Sequence, residues 1–382
     1  MRASLRFLEV LFLLGGLMLK KEGGLRIPSG CAISGIIDKK GKRFSGEEII
    51  KSIALMHERS NGLGGGFAAY GIYPQYKEFY AFHIFYDNLG VKTQVEDFLA
   101  KHFEIESAGN IPTKAVPNIK NQSLLIWRYF VYPRIYISKE EVIDEDEFTF
   151  RCVIKINKEY NGAYVFSSGK NMGAFKGVGY PEDIGEFFML DRYEAYMWTA
   201  HGRFPTNTPG WWGGAHPFTM LNWSVVHNGE ISSYDANRRF VEMFGYKCTL
   251  QTDTEVITYL FDLLVRKHKM PMDEVLKTVA APFWDDIERE SKEIQNKLKG
   301  IRTVYSSALI NGPFSIILGC QKGMVALNDR IKLRSMVAAE KGDRTYVASE
   351  ESAIRIICDN PDRVWSPKGG EAVIASLEGK IK

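Results

Sequence analysis

The sequence predicts a mixed α+β fold in which sheets pack on or between helices. Strand-like apolar runs alternate with helical segments along most of the chain, a mixture that favours a layered arrangement. Hydrophobic residues make up 45% of the chain and charged residues 25%, a balance typical of globular proteins with a sizeable core. No repeat, low-complexity tract or obvious linker interrupts this pattern, so we expect one large domain.

We divide the chain of 382 residues at Cys31. Residues 1–30 are interpreted as an N-terminal extension, either a propeptide or an over-extended start with Met18 as the true initiator, and residues 31–382 as the domain. The partly apolar run from Phe7 to Leu19 resembles a weak signal peptide and is too short to span a membrane. We therefore expect no membrane partner.

Charge and cysteine content restrict the function classes. The 49 basic and 46 acidic residues leave a net charge of +3, which does not suggest a nucleic-acid partner. The cysteines form no C-x-x-C pair, which argues against metal and iron–sulfur sites in this chain. Their odd number argues against a disulfide-stapled secreted domain. We expect a cytoplasmic protein that itself binds neither a metal nor a cofactor.

Local patterns predict the elements in chain order. Residues 45–48, Ser-Gly-Glu-Glu, place acidic side chains in a first helical turn, and apolar residues then fall on one face as far as residue 58. Helices are predicted at 47–58, 94–102, 253–268 and 272–299. Short apolar runs bounded by turn residues predict the strands, at 31–37, 67–73, 79–85, 124–137, 148–156, 307–310, 314–320, 324–327, 345–348 and 372–377.

Cys31 is the first of four candidate features. It follows the turn-forming Pro28-Ser-Gly and opens a strand-like segment, which places it at the leading edge of a strand. Taken alone, a cysteine before an apolar run is more often a buried core residue than a nucleophile. If the chain were cut before Cys31, the new α-amine, with a reference pKa of about 7.7–8.0, could serve as the base for the thiol.

The second feature is the segment His201-Gly-Arg-Phe-Pro-Thr. Arg203 carries a planar fork of donors that suits a carboxylate, and a lysine could not reproduce that geometry. Thr206, beyond the fixed backbone of Pro205, could add a hydroxyl donor to the same anion. The alternative is a surface arginine in a turn.

The third feature is His227-Asn-Gly-Glu-Ile, which follows a strand-like run. Asn-Gly is a strong hairpin signal, so a simple turn is one interpretation. In the other, the amide of Asn228 and the backbone N–H of Gly229 point together at a developing oxyanion, as donors in acyl-transfer enzymes do.

The fourth feature is Thr252-Asp-Thr-Glu, at the start of a predicted helix. Asp253 could be an N-cap or a first-turn acid, which is the usual role of such a residue. It could instead hold an ammonium group. Arg203 and Asp253 together would then complement the carboxylate and the α-amine of a free amino acid.

The order and content of these segments resemble the class-II glutamine amidotransferases, which have the fold of the amino-terminal-nucleophile (Ntn) hydrolases. The resemblance implies an Ntn-hydrolase-like four-layer αββα sandwich. Where that family commonly has Cys-Gly, this chain has Cys31-Ala32. The resemblance also implies a role for each matching residue: Cys31 as nucleophile, Asn228 and Gly229 as the oxyanion hole, Arg203 and Thr206 on the glutamine carboxylate, and Asp253 on the substrate amine.

Two further stretches, Arg203-Phe-Pro-Thr-Asn-Thr-x-x-Trp211 and Ala215-x-Pro217-Phe218, look especially like glutamate synthases. That resemblance implies that L-glutamine is the substrate. It also implies a separate glutamate synthase subunit that carries FMN and an iron–sulfur cluster and aminates 2-oxoglutarate. The alternatives are a glutaminase unit for another acceptor, a non-catalytic regulatory subunit with the same fold, and an Ntn hydrolase for another amide.

Overall fold

The computed structural model describes residues 30–119, 124–134, 143–205, 210–379 and 381. Its strands form sheets of seven, five and four strands and a two-stranded ribbon, and all neighbouring strands are antiparallel. The helices within these ranges are α1 (Glu47–Ala54), α2 (Leu89–His102), α3 (Glu145–Glu159), α4 (Pro181–Phe187), α5 (Tyr234–Glu242), α6 (Asp253–Phe261), α7 (Met272–Val279), α8 (Trp284–Glu288), α9 (Lys292–Val304) and α10 (Glu351–Arg355).

Eighteen strands lie within the same described ranges. They are β1 (Ala32–Asp38), β2 (Phe44–Ser45), β3 (Gly65–Tyr70), β4 (Tyr80–Tyr86), β5 (Phe103–Asn110), β6 (Leu125–Pro133), β7 (Ala163–Ser167), β8 (Met172–Gly177), β9 (Glu194–Ala195), β10 (Met197–Gly202), β11 (Phe218–Met220), β12 (Trp223–Gly229), β13 (Phe314–Cys320), β14 (Gly323–Asn328), β15 (Val337–Lys341), β16 (Arg344–Ala348), β17 (Arg363–Trp365) and β18 (Ala372–Ser376).

The two large sheets pack face to face. The seven-stranded sheet has the order β17-β15-β16-β1-β10-β3-β8, and the five-stranded sheet has the order β11-β12-β13-β14-β18. Ile33 and Tyr70 of the first sheet share one buried cluster with Val226 and Ile317 of the second. Every residue of β1, β3, β10, β13 and β14 is buried, because another layer covers each face.

Helices cover the outer faces of both sheets. α1, α4 and α10 pack on the seven-stranded sheet, while α6 packs on β11 and β12 with α5 beside it. The order of layers is therefore helix, sheet, sheet, helix, which confirms the α+β class and the αββα sandwich that the family resemblance implies.

A smaller sheet extends this sandwich. Its order is β5-β6-β4-β7, with α2 and α3 packed against it, and β2 pairs with β9 in a two-stranded ribbon. Phe82 and Val153 of this part belong to the same buried cluster as Leu260 and Ile316 of the main sandwich. The smaller sheet thus shares the core of the larger ones.

The strand predicted at 148–156 is wrong, because these residues lie within α3. Asp144 caps the helix, since its carboxylate accepts a hydrogen bond from the backbone N–H of Glu147 at 2.7 Å. Phe150, Val153 and Ile156 are buried at a spacing of three residues, which places them on one helical face. The apolar residues of this segment follow the helical period.

The helix predicted at 272–299 is divided into α7, α8 and the first part of α9. The break includes Pro282, which lacks a backbone N–H and cannot sit inside a continuous helix. The strand predicted at 307–310 is also wrong, since a 3-10 turn occupies Ser306–Ala308. The helix predicted at 253–268 continues from α6 into a π-helical segment, Asp262–Lys267.

We expect Ile317→Ala to lower the free energy of unfolding by about 2–5 kcal/mol, because it opens a cavity between the two large sheets. The matched control is Ile374→Ala on β18, whose side chain is 47% exposed. Urea denaturation followed by circular dichroism measures both. Equal effects of the two substitutions would contradict the face-to-face packing.

Candidate active site

A cleft of about 460 Å³ opens beside the first residues of β1 and α6 and the last residues of β10 and β12. It brings together five of the six predicted site residues, namely Cys31, Arg203, Asn228, Gly229 and Asp253. The sixth, Thr206, lies outside the described residues. The remaining residues of the lining are Gly30, Phe204, Pro205, Gly214, His216, His227, Glu230, Ile231, Tyr234, Gln251, Thr252 and Arg334.

Cys31 directly precedes β1, as the sequence predicts. β1 pairs with β10 in a register that sets Ala32 opposite Gly202, so Cys31 comes next to the segment that follows β10. From that segment the backbone N–H of Phe204 donates to Cys31 Sγ at 3.3 Å. The guanidinium of Arg59 donates to the carbonyl oxygen of Cys31 from Nε and Nη2, each at 3.4 Å. The backbone of Cys31 is thus held while its sulfur faces the cleft.

Burial raises the pKa of the Cys31 thiol above its ordinary value of 9.0. The hydrogen bond from Phe204 and the positive charges of Arg203 and Arg334 lower this pKa, but they do not offset the burial. Near neutral pH the sulfur therefore carries its proton. A reaction that uses it as a nucleophile needs a base close by.

Arg203 is a buried arginine, not the surface residue of the alternative interpretation. Its Nη1 donates to the carbonyl oxygen of Leu63 at 3.2 Å, and only 6% of the residue is exposed. The guanidinium lies against Gly214, where an added Cβ would come within 2.8 Å of Arg203 Cζ. Burial lowers the pKa of Arg203, while Cys31 and Asp253 raise it. A bound carboxylate would favour its charge further.

Asn228 and Gly229 are the last two residues of β12 and pair with Ser315 and Phe314 of β13, so this Asn-Gly does not form a hairpin turn. Asn228 is 1% exposed, and neither Oδ1 nor Nδ2 of its side chain has a hydrogen-bond partner within the part of the chain that the structure describes. A buried amide left without partners costs free energy, typically about 1–3 kcal/mol. Because this amide lines the cleft, a ligand there can satisfy it.

Gly229 occupies a position that no other residue fits. Its φ of +156° is rarely adopted by residues with a side chain, and an added Cβ would lie 2.0 Å from the carbonyl oxygen of Pro313. The glycine therefore lets β12 end at the cleft with its backbone close to the ligand space.

Asp253 is the first residue of α6, and the N-cap is Thr252. Its Oδ2 accepts a hydrogen bond from the backbone N–H of Ile231 at 3.2 Å, and its Oδ1 lies 3.6 Å from His227 Nδ1. Burial alone would raise the pKa of Asp253, but its contacts with His227, Ile231 and Thr254 lower the pKa overall. The carboxylate is thus charged and suited to an ammonium group.

Three buried histidines connect the segments of the cleft. His201 Nε2 donates to the carbonyl oxygen of His227 at 3.0 Å, and His216 Nδ1 accepts from the backbone N–H of His227 at 3.2 Å. The rings of His201 and His216 stack with centroids 3.8 Å apart. Burial lowers the pKa of His201 to about 3 and also lowers that of His216. These two rings are therefore neutral hydrogen-bonding groups.

Sequence reasoning missed Arg59 and Arg334. Arg59 lies in the 3-10 turn after α1, and its Nη1 pairs with Glu350 at 3.0 Å. Arg334 lies in the loop between β14 and β15, and its buried Nε has no hydrogen-bond partner in the described ranges. Neither arginine belongs to a motif, so only the tertiary structure identifies them.

Within the described ranges, no group of three or more His, Cys, Asp or Glu side chains could hold a metal ion. No helix among the same residues has both the length and the apolar character needed to cross a bilayer.

Comparisons with known proteins show which family this chain resembles. A family model described as class-II glutamine amidotransferases matches residues 106–360. An uncharacterized protein from Archaeoglobus fulgidus is 50% identical over 92% of this chain and 93% of its own length. A putative glutamine amidotransferase from Methanothermobacter thermautotrophicus is 25% identical over 87% of this chain and 95% of its own length. An amidophosphoribosyltransferase from Methanocaldococcus jannaschii is 28% identical over 56% of this chain and 41% of its own length.

We expect iodoacetamide to label Cys31 faster than the other four cysteines, which are all buried. Labelling should accelerate as the pH rises towards and beyond 9, because the thiolate is the reactive form.

Arg334→Gln removes a charge that lowers the pKa of Cys31, so labelling of Cys31 at pH 8.5 should slow. Mass spectrometry of the labelled peptide measures this rate. Arg192→Gln, at an exposed arginine in another turn, is the control. Equal rates in wild type and Arg334→Gln would contradict the electrostatic role.

Proposed function

The chain belongs to the class-II glutamine amidotransferases, and we propose that its cleft hydrolyses the side-chain amide of L-glutamine to glutamate and ammonia. The observation that carries this proposal is the amide of Asn228, which is buried in the same cleft as the thiol of Cys31 and has no hydrogen-bond partner among the described residues. A developing oxyanion is the ligand that such a donor is suited to bind.

The charged groups of the cleft suit a zwitterionic amino acid, because Arg203 and Asp253 both line it. Arg203 would bind the α-carboxylate of glutamine, and Asp253 would bind its α-ammonium group. The thiol of Cys31 lines the same cleft, and the volume of about 460 Å³ admits a small molecule. Holding the substrate in this way lowers the barrier, because the reacting atoms are brought together before the chemical step.

The proposed reaction proceeds through a thioester. Cys31 Sγ attacks the amide carbon of glutamine, and the C=O electron pair moves onto oxygen, where Asn228 Nδ2 and the Gly229 N–H stabilise it. The nitrogen takes a proton and leaves as ammonia. Water then attacks the thioester, the C–S bond breaks, and the sulfur regains its proton as glutamate leaves.

The base that we propose is the α-amine of Cys31, which becomes free only if the chain is cut before that residue. Gly30 borders the same cleft, and a Cβ built on Gly30 would lie 3.9 Å from Asn228 Oδ1. A cut before Cys31 would remove Gly30 from this space and leave the α-amine of Cys31 there. An amine there could take the thiol proton and pass it to the leaving nitrogen.

The ammonia acceptor that we propose is a separate glutamate synthase subunit, in which FMN and an iron–sulfur cluster serve the amination of 2-oxoglutarate. The support is the pair of stretches around Arg203 and Pro217 that resemble glutamate synthases. The state of the cysteines, all five of which are free thiols, supports action in the reducing cytoplasm. A phosphorylated sugar is the alternative acceptor, because one relative is named an amidophosphoribosyltransferase.

Cys31→Ala should abolish glutamine hydrolysis while leaving the circular dichroism spectrum unchanged. Glutamate release is measured with the purified chain, alone and with the synthase subunit. Cys358→Ala, at a buried cysteine outside the cleft, is the matched control and should keep wild-type turnover. Substantial glutamine hydrolysis by Cys31→Ala would contradict the assignment of Cys31 as the nucleophile. Mass spectrometry of the mature amino terminus tests the base, since a chain that begins before Cys31 would have no free α-amine there.

Asn228→Ala should lower kcat for glutamine hydrolysis about 10²–10³-fold with little change in KM, because the oxyanion forms only during the reaction. Steady-state kinetics measure both constants. Asn88→Ala, at the N-cap of α2, is the control for loss of an asparagine. A fall in kcat as large as that of Asn228→Ala in this control would contradict the oxyanion role.

Asp253→Asn should instead raise KM for glutamine, since it weakens binding of the substrate amine. The same steady-state kinetics measure this change.

A further inference from the structure

Beside the cleft lies an exposed surface of aromatic, arginine and aliphatic side chains, which we call the arginine–aromatic surface. It consists of Phe283, Trp284, Arg302, Arg330, Ile331 and Leu333. The exposed fractions are 44% for Phe283, 49% for Trp284, 62% for Ile331 and 58% for Leu333. Large apolar side chains that are exposed together are typical of interaction sites.

The arginines of this surface are held in place by the aromatic rings. The guanidinium of Arg302 stacks on Trp284 at 3.8 Å from the ring centroid, and that of Arg330 lies over Phe283 at 4.9 Å. Arg302 Nη1 also donates to the carbonyl oxygen of Pro282 at 3.1 Å. Stacked arginines and exposed aromatic rings are the residues most often found at the energetic centre of protein interfaces.

The positive charge of this surface comes from Arg302 and Arg330. Neither Arg302 nor Arg330 forms an ion pair with a carboxylate among the residues that the structure describes. Burial lowers the pKa of Arg302, and the neighbouring charge of Arg330 lowers it further, so the two guanidiniums repel each other. A carboxylate from a partner protein would relieve this repulsion.

Two connections join the surface to the cleft. Arg330 Nη2 donates to Asn311 Oδ1 at 2.9 Å, and the carbonyl oxygen of Asn311 accepts from the backbone N–H of Ser232, next to the cleft residue Ile231. The loop that carries Ile331 and Leu333 continues directly into Arg334, which lines the cleft.

The carboxylate of Asp329 fixes the shape of that loop. It accepts from the backbone N–H groups of Ile331 at 3.1 Å and Leu333 at 2.8 Å, and also from Phe314 at 3.2 Å. Phe314 belongs to β13, the neighbour of β12 that carries Asn228. The surface is therefore preformed and anchored to the sheet that ends at the cleft, so binding needs little ordering of the loop.

We propose that the arginine–aromatic surface docks the ammonia-accepting subunit through a face of that subunit that presents carboxylates among apolar side chains. This inference rests on the proposed function, since only a chain that releases ammonia needs an acceptor beside its cleft. A subunit docked here lies next to the cleft, so ammonia passes to it without dispersing into solvent. A groove of about 260 Å³ lined by Trp284, Arg302 and Tyr305 admits an apolar side chain from the partner.

The test measures binding between this chain and the purified synthase subunit that carries FMN and the iron–sulfur cluster, by isothermal titration calorimetry. The double variant Arg302→Glu/Arg330→Glu should weaken the affinity at least 100-fold, and Ile331→Asp at least 10-fold. Arg192→Glu/Lys77→Glu makes the same change in net charge at exposed positions elsewhere and should bind as wild type does. Wild-type affinity should fall as KCl rises from 50 to 300 mM.

Glutamine hydrolysis by each variant alone separates this inference from the proposed function. Hydrolysis at the wild-type rate with lost affinity supports docking at this surface. If Arg302→Glu/Arg330→Glu fails to fold, Ile331→Asp decides by the same criterion. The docking proposal would be overturned if the folded variants bind the synthase subunit with wild-type affinity, or if the wild type does not bind it. It would also be overturned if the control variant loses as much affinity as Arg302→Glu/Arg330→Glu. Self-association of the wild type through this surface, seen by analytical ultracentrifugation, would overturn it as well. Absence of glutamine hydrolysis in a wild type that still binds its partner would instead refute the proposed function.

Discussion

The register between β1 and β10 is the constraint on which the cleft depends. Because Ala32 lies opposite Gly202, Cys31 meets the segment of Arg203 and Phe204 at the shared end of the two strands. A slip of one residue would exchange the two faces of β1, which are both buried, and would move Cys31 Sγ away from the backbone N–H of Phe204. The packing of two sheets on each other thus fixes the position of a single sulfur atom.

Burial shifts the pKa values of several polar groups behind the cleft towards their neutral forms. His201 and His216 are neutral, so they join β10 and β12 by hydrogen bonds and do not repel the guanidinium. Nearby, burial lowers the pKa of Lys176 to about 7 and raises that of Glu255 to about 7. Both shifts favour the neutral form of a buried group, as low-dielectric surroundings require. The charges that remain at the cleft belong mainly to groups that face the ligand space.

Prediction from the sequence was most successful where local patterns and tertiary packing agree. β13 and β14 lie where apolar runs predict them, and α1 begins at the predicted acidic first turn, although it ends at Ala54 and not at residue 58. The failures have particular causes. The apolar run at 148–156 predicts a strand, but its buried residues follow the helical period and lie within α3. The segment 272–299 is predicted as one helix, but Pro282 interrupts it. Asn228-Gly229 is typical of a hairpin turn, but here both residues belong to β12 and pair with β13.

By itself, the sequence determined which functional groups the cleft contains. Four separated segments supply a thiol, a guanidinium, an amide and a carboxylate, and the order of these segments matches one family. What it could not determine was the distance between them, because β1, β10, β12 and α6 are joined only through long-range strand pairing and sheet packing. The tertiary structure decided that the Asn228 amide is buried with no partner among the described residues and that Arg203 is buried against Gly214. It also brought in Arg59 and Arg334, which no local pattern could have indicated, because their proximity to Cys31 arises only when distant strands pack together.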